Sequence, residues 1–256
     1  MKSIGQADKI GLALGGGAVL GAAHVGVLKA IEEYEIRLHC MAGTSIGAFI
    51  AGLYAFGVSS AEIETLVADL KWLDITSFKF SKSGFLSNRK LGLIIKECIG
   101  DVDIENARIP LAFVATDIGR GEKVILRQGD LSLAVMASSC LPGIFSPVEI
   151  QDRMLVDGGL VENVPLSALK ALGAETTIGV DLNANRCYQD PQDIIDVLSN
   201  AIDIAIDNAT RIQMKRADVL IAPDLNAFSR TDPQAAKDLI EVGYQCAKKA
   251  FMKYME

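Results

Sequence analysis

A serine with glycine two residues to either side, in Gly43-Thr44-Ser45-Ile46-Gly47, has the spacing of a sharp strand-to-helix turn that exposes a nucleophilic hydroxyl. Such an elbow strains the serine backbone, and Gly43 and Gly47 leave room for strand and helix to cross closely. Two further stretches could complete the chemistry. In the first, the apolar run Ile10 to Leu14 enters Gly15, Gly16, Gly17 and Ala18 and then a helical pattern from Ala22. Backbone N–H groups in a glycine loop at a helix N-terminus converge on an anion, a phosphate or an oxyanion. In the second, Leu155-Val156-Asp157-Gly158-Gly159 brings a carboxylate to the end of an apolar strand, with Gly158 and Gly159 holding no side chain against it. Nucleophile, oxyanion donors and base are the three roles an acyl hydrolase must fill.

Histidine usage selects among mechanisms. The chain has two, His24 and His39. His39 lies six residues before Ser45 on the strand that feeds the elbow, too far away at about 3.3 Å per residue to take its proton. His24 falls in the first turns of the helix after the glycine loop, where local packing or hydrogen bonding is the expected role. A Ser, Asp, His chain order needs a histidine after the nucleophile, and there is none, so a Ser45/Asp157 dyad remains.

Other chemistries fit less well. A dinucleotide site wants an acidic residue about 20 positions beyond its glycine loop, but the second strand here ends in the serine elbow. Asp101-Val102-Asp103-Ile104-Glu105 opens like a calcium loop, yet Asn106 and Ala112 stand where glycine and glutamate are required; no metal or other cofactor is expected. A net charge of −7 argues against nucleic acid and against strong attraction to anionic membranes. Five cysteines without a Cys-x-x-Cys pair point to reduced thiols in a cytoplasm. The glycines after Leu14 suit a loop rather than a signal helix, and no uninterrupted apolar run of about 20 residues suggests a membrane span.

The elements that must position these residues alternate. Strands are expected near 10–14, 38–42, 111–116, 122–127, 154–157, 176–181 and 218–222. Helices are expected near 21–34, 46–56, 60–70, 88–99, 131–138, 165–172, 192–214 and 232–254. Gly119-Arg120-Gly121 reads as a hairpin turn. The expectation is a three-layer α/β/α fold over one domain spanning 1–256, with a mixed, mainly parallel central sheet whose active residues lie beyond the carboxyl ends of strands. With 256 residues, half of them hydrophobic, the chain is long enough to bury such a core unaided.

In these motifs the chain resembles the bacterial patatin-like phospholipases along nearly its whole length. Leu14 to Gly21 is similar to the family's oxyanion loop, Gly43 to Gly47 to its elbow, and Asp157 to Gly159 to its Asp-Gly-Gly motif. Ala115-Thr116-Asp117, Ala134 to Ser138, Leu141 to Phe145, Asn163 to Leu166, Ala217 to Asp224 and Glu241 to Tyr244 are lesser matches. The family usually carries arginine or lysine where this chain has Leu20, and often glycine where it has Ala18. The resemblance implies a serine esterase of phospholipase or lysophospholipase type. It would act by a Ser45-Asp157 dyad and an acyl-enzyme, with Gly15, Gly16, Gly17 and Ala18 forming the oxyanion hole. Its partners would be lipid or acyl-ester substrates and, in passing, membrane surfaces, from a cytoplasmic or peripheral location. An acyltransferase with the same dyad, or a catalytically weak lipid-binding or regulatory module, are the alternatives.

Overall fold

The computed structural model describes residues 9–69, 88–229 and 233–255. Its first strand, β1 (Ile10–Leu14), is buried at every position, as a strand covered on both faces must be. It runs between β2 (Leu38–Gly43) and β7 (Thr176–Val180), parallel to both. β3 (Leu111–Asp117) extends the parallel set beyond β2, and β8 (Val219–Ile221) extends it beyond β7. The remaining strands run the other way or return. β4 (Glu122–Leu126) and β6 (Arg153–Asp157) are antiparallel to β3, and β5 (Val148–Ile150) is antiparallel to β6. The order across the sheet is β5-β6-β3-β2-β1-β7-β8, with β4 also on β3.

The β3–β4 hairpin turns where Gly119, Arg120 and Gly121 were expected to turn it. Asp117 Oδ1 accepts the amides of Gly119 and Arg120 at 3.1 and 3.2 Å, and Gly121 adopts φ 67°. β5 was not expected from the sequence. Its three residues are too short for an alternation to stand out, and its two-residue turn, Gln151 and Asp152, takes positive φ without glycine.

Side chains alternate between two cores. Leu12 and Leu14 of β1, Met41 of β2 and Phe113 of β3 face one side. There they meet α1 (Ala22–Glu33), α2 (Ile46–Ala55), α3 (Ser60–Asp69), α4 (Arg89–Ile99), α5 (Leu131–Ser138) and α9 (Ala236–Met255). Ala13, Ala42, Ala112 and Val114 face the other side, a smaller core closed by α7 (Leu166–Ala171) and Met214. Between β6 and α7 lies the single turn α6 (Gly159–Glu162), against which α8 (Ile194–Gln213) packs. The architecture is therefore a mixed, mainly parallel sheet between two helical layers, as expected.

α1 and α9 cross closely because glycines face each other's backbones. A Cβ on Gly26 would overlap the Ile240 carbonyl, and one on Gly243 would overlap that of Ala23. Gly26→Ala must push the two helices apart and should cost about 1–3 kcal/mol, read as a lower denaturant midpoint. Gly100, φ 85° with open space around its Cβ position, is the comparison site: alanine there meets a backbone penalty but no steric one.

Candidate active site

Strand register brings the site together. Gly43, the last residue of β2, is level with Phe113 of β3, and the chain turns into the Ser45 elbow just beyond it. Asp157, the last residue of β6, pairs with Ala115 of β3. β6 runs back along β3 from Asp117, and because its pairing stops at Ala115, two residues past the level of Gly43, Asp157 stays near the carboxyl end of β2. Residues 112 positions apart in sequence thus meet at one edge of the sheet.

Ser45 stands at φ 57°, ψ −127°, a conformation that side-chain-bearing residues adopt only when their surroundings impose it, at a cost of about 1–3 kcal/mol. The surroundings are visible. Thr44 N–H donates to the Leu14 carbonyl at 3.1 Å, and Ser45 N–H donates to Ser138 Oγ at 3.0 Å. Ser138 in turn donates to the Val114 carbonyl at 2.7 Å. A Cβ on Gly47 would overlap the Leu14 carbonyl, and one on Gly43 would lie 2.5 Å from the backbone of Ala48. Both glycines expected to free the elbow are therefore required by backbone contact.

Asp157 is buried, 6% exposed. Its Oδ1 accepts the Gly159 amide at 2.7 Å, and its own amide donates to the Cys140 carbonyl at 2.8 Å. A Cβ on Gly158 would overlap the Val114 carbonyl, and one on Gly159 would sit 3.0 Å from Asp157 Oδ1. Burial pushes the carboxyl up to about 6, opposed by the Gly159 amide and by the Ser45 hydroxyl. Oδ2 has no partner at full hydrogen-bond geometry. The serine is thus close enough to act on the carboxylate electrostatically, while the contact between them is not closed.

The glycine loop lies against the serine: the Cβ position of Gly16 is 3.2 Å from Ser45 Cβ. Of the four residues expected to supply oxyanion donors, two have their amides engaged. Gly15 N–H donates to the Val180 carbonyl at 3.2 Å, and Gly16 N–H donates to Asn163 Oδ1 at 3.1 Å. Among the described residues no acceptor meets the amides of Gly17 and Ala18, and Ala18 holds φ 52°. Asn183 Nδ2 donates to the Gly16 carbonyl at 3.0 Å, so two asparagines clamp one glycine. Neither was singled out as a site residue from sequence. Asn163 lies in a recognisable stretch after the aspartate, but nothing local marks Asn183, which comes from the far end of β7.

His24 is fully buried, and its Nε2 lies 2.7 Å from the Gly15 carbonyl. Burial lowers its pKa to about 4, so it stays neutral and holds the loop from behind, the local role expected of it. Leu20 is 2% exposed within the larger core, a place shaped for an apolar side chain rather than for the cation it replaces. A cavity of about 900 Å³ opens beside the loop, with Leu20, Leu182, Arg186 and Phe228 in its wall. Ser45 and Asp157 do not line it.

A raised carboxylate pKa makes a stability prediction. With its folded value near 6 and an unfolded value near 3.8, Asp157 binds more protons folded than unfolded between those pH values. Stability therefore falls as pH rises through that window, and the cost is complete above it. Asp157→Asn keeps the acceptor for Gly159 and removes the charge. It should raise stability at pH 8 by about 2–3 kcal/mol, the gain vanishing near pH 4; calorimetric unfolding at the two pH values measures it.

Comparison with known proteins assigns the chain to a family. A model of the family described as patatin-like phospholipase matches residues 12–170. An uncharacterized NTE family protein of Mycobacterium tuberculosis is 34% identical over 185 residues, covering 70% of this chain and 51% of that protein. Lysophospholipase NTE1 of Saccharomyces cerevisiae is 33% identical over 186 residues, 70% of this chain and 11% of that protein. The chain thus spans about half the length of the mycobacterial relative and a small part of the yeast one. Among solved structures, VipD from Legionella pneumophila superimposes with a TM-score of 0.58 at 13% identity, over 96% of this chain and 67% of that one. ExoU in its complex with SpcU from Pseudomonas aeruginosa gives 0.56 at 17% identity, over 96% and 52%. With the family model covering more than half of its residues, the elbow included, this chain belongs to the patatin-like phospholipase family.

Proposed function

We propose that this chain is a serine acyl-ester hydrolase acting on phospholipid or lysophospholipid esters through Ser45 and Asp157. The observation that carries the reading is the convergence of a serine strained at positive φ with a buried carboxylate whose Oδ2 has no fixed partner. Membership of a phospholipase family and relatives named lysophospholipase support the lipid class of the substrate.

Ser45 Oγ attacks the ester carbonyl carbon as its proton passes to Asp157 Oδ2. The carbonyl oxygen becomes an oxyanion, met by the amides of Gly17 and Ala18; loss of one such donor typically costs about 2.7–4 kcal/mol of barrier. The tetrahedral intermediate collapses with cleavage of the bond to the leaving alcohol, which takes the proton back from Asp157. A water, deprotonated by the same carboxylate, then attacks the acyl-enzyme, and Asp157 returns that proton to Ser45 Oγ as the fatty acid leaves. Burial suits Asp157 to this work. A carboxylate with pKa near 6 is a stronger base than one near 4, and it is still ionised at pH 7. Asn163 and Asn183, by fixing Gly16, and Ser138, by holding the Ser45 amide, are positioning residues.

A fluorophosphonate probe should label Ser45 and no other serine, as shown by peptide mapping. Ser45→Ala should retain less than about a thousandth of the turnover, and Asp157→Asn should lose about 10²–10⁴ in rate. Adduct on Ser138 or Ser139 instead would sink the assignment.

The acid limb of kcat/KM should fall at about pH 6, since only ionised Asp157 can accept the proton. The same limb must persist in the double variant His24→Gln with His39→Gln, where glutamine can still donate to the Gly15 carbonyl. A limb that disappears with the histidines would assign the base to one of them.

A further inference from the structure

α8 is amphipathic in the reverse of the usual sense. Of its 20 residues, Asp207 and Thr210 are buried, and both are polar. Its polar side faces the protein. Asp203 and Asp207 pair with Arg186, the latter at 3.0 Å, and Tyr188 donates to Asp207 Oδ2 at 2.6 Å. Asn200 donates to the Gln189 carbonyl at 3.0 Å. Ile194, Leu198, Ile202 and Ile212, spaced three to four residues apart or by multiples of that along one stripe, face outward at 69%, 58%, 41% and 64% exposure. Ile195 and Ile204 widen the stripe on either side. A surface helix that needed only water would show the opposite pattern.

Two observations identify what this face meets. The helix is continuous with the active site: Ile206 Cδ1 is 3.8 Å from the Cβ position of Gly159, two residues after Asp157, and Gln213 Nε2 donates to the Val161 carbonyl at 3.1 Å. Its charge is also graded. At the N-terminal end Asp193 and Asp196 are committed to backbone amides, Asp193 as the helix cap. At the other end Arg211, Lys215 and Arg216 are exposed, in a chain that carries −7 overall. An apolar stripe ending in cations, on a helix that packs against the turn after Asp157, matches the acyl-chain and phosphate layers of a lipid surface.

We propose that α8 is an interfacial helix that lays its apolar face into a lipid surface and so sets the Ser45–Asp157 site against its substrate. The proposal rests on the lipid-ester reading of that site. It also explains how an acidic protein reaches a membrane: the attraction comes from apolar area, which salt does not screen.

The test uses the full chain with Ser45→Ala, so that no lipid is consumed, and co-sedimentation with phosphatidylcholine vesicles. Leu198→Asn with Ile202→Asn should weaken vesicle partition by about tenfold or more. Leu198→Met with Ile202→Val should not, and raised salt should leave binding of the parent protein nearly unchanged. Circular dichroism and unfolding midpoints confirm that each variant is folded. With Ser45 restored, the asparagine pair should lose hydrolysis of vesicle phospholipid in step with partition, yet keep kcat/KM for a water-soluble short-chain ester within about twofold.

Vesicle binding that is equal in all variants would overturn the proposal. So would a parent protein that is dimeric by ultracentrifugation and becomes monomeric with the asparagine pair, which would give the face to a second copy. A folded asparagine pair that loses soluble-ester turnover as well would also overturn it, since the helix would then be part of the catalytic scaffold. Vesicle binding through α8 by a protein that hydrolyses no ester would retain the interfacial helix and refute the hydrolase.

Discussion

The backbone of Gly47 runs directly against the carbonyls of Leu14 and Gly15, and the geometry of the whole site depends on that crossing. It draws the first turn of α2 onto the end of β1, which leaves Ser45 no extended or helical conformation and drives it to positive φ. The same contact brings the glycine loop alongside the serine, since the residues after Leu14 have nowhere else to pass. A side chain at Gly16, Gly43, Gly47 or Gly158 would collide with backbone or with polar groups of the site. The glycines of the three motifs thus serve one requirement, the approach of four chain segments to within backbone contact, more than they serve flexibility.

A strained serine is held by polar contacts that are themselves buried. Ser138 links the Ser45 amide to the Val114 carbonyl, and the two asparagines fix Gly16 by its N–H and its C=O. Each bond is modest in free energy, but each satisfies a buried group whose loss would cost more than the bond itself contributes. Asn163 Nδ2 and His24 Nδ1 are buried without a partner among the described residues, and Asp157 is likewise buried with one oxygen facing no fixed donor. Its raised pKa is a cost in stability at neutral pH and, in the proposed reaction, the source of its basicity; the two cannot be separated, since both follow from removing the charge from water.

The two faces of the sheet differ in the same sense. One is covered by long helices over Leu, Ile and Phe side chains, the other by α7 over alanines and valine. The thin side is where β6 ends, where α6 turns and where α8 docks largely through ion pairs and hydrogen bonds. A helix docked through its polar side keeps its apolar side available. Among the described residues no helix is long and apolar enough to cross a membrane.

Much of the site was legible in the sequence, because its chemistry is carried by short local patterns. Gly43 to Gly47 specifies an elbow by sterics within five residues, and Gly15 to Gly17 can only be a loop between a strand and a helix. The lack of any histidine after Ser45 left Asp157 as its proposed partner. The alternation of apolar runs placed the main strands and helices, since burial on both faces or on one leaves a period in the sequence. What the tertiary structure decided is of another kind. That β6 stops at Asp157 opposite Ala115 of β3, close to the end of β2, follows from strand order and register, which no local pattern encodes. The narrowing of the open donors to Gly17 and Ala18 depends on Asn163 and Val180, distant residues that occupy the amides of Gly16 and Gly15. The direction in which α8 faces could not be read either. Its periodicity marks an amphipathic helix, but a period tells which residues share a side, and only the position of Arg186 decides that the acidic side turns inward.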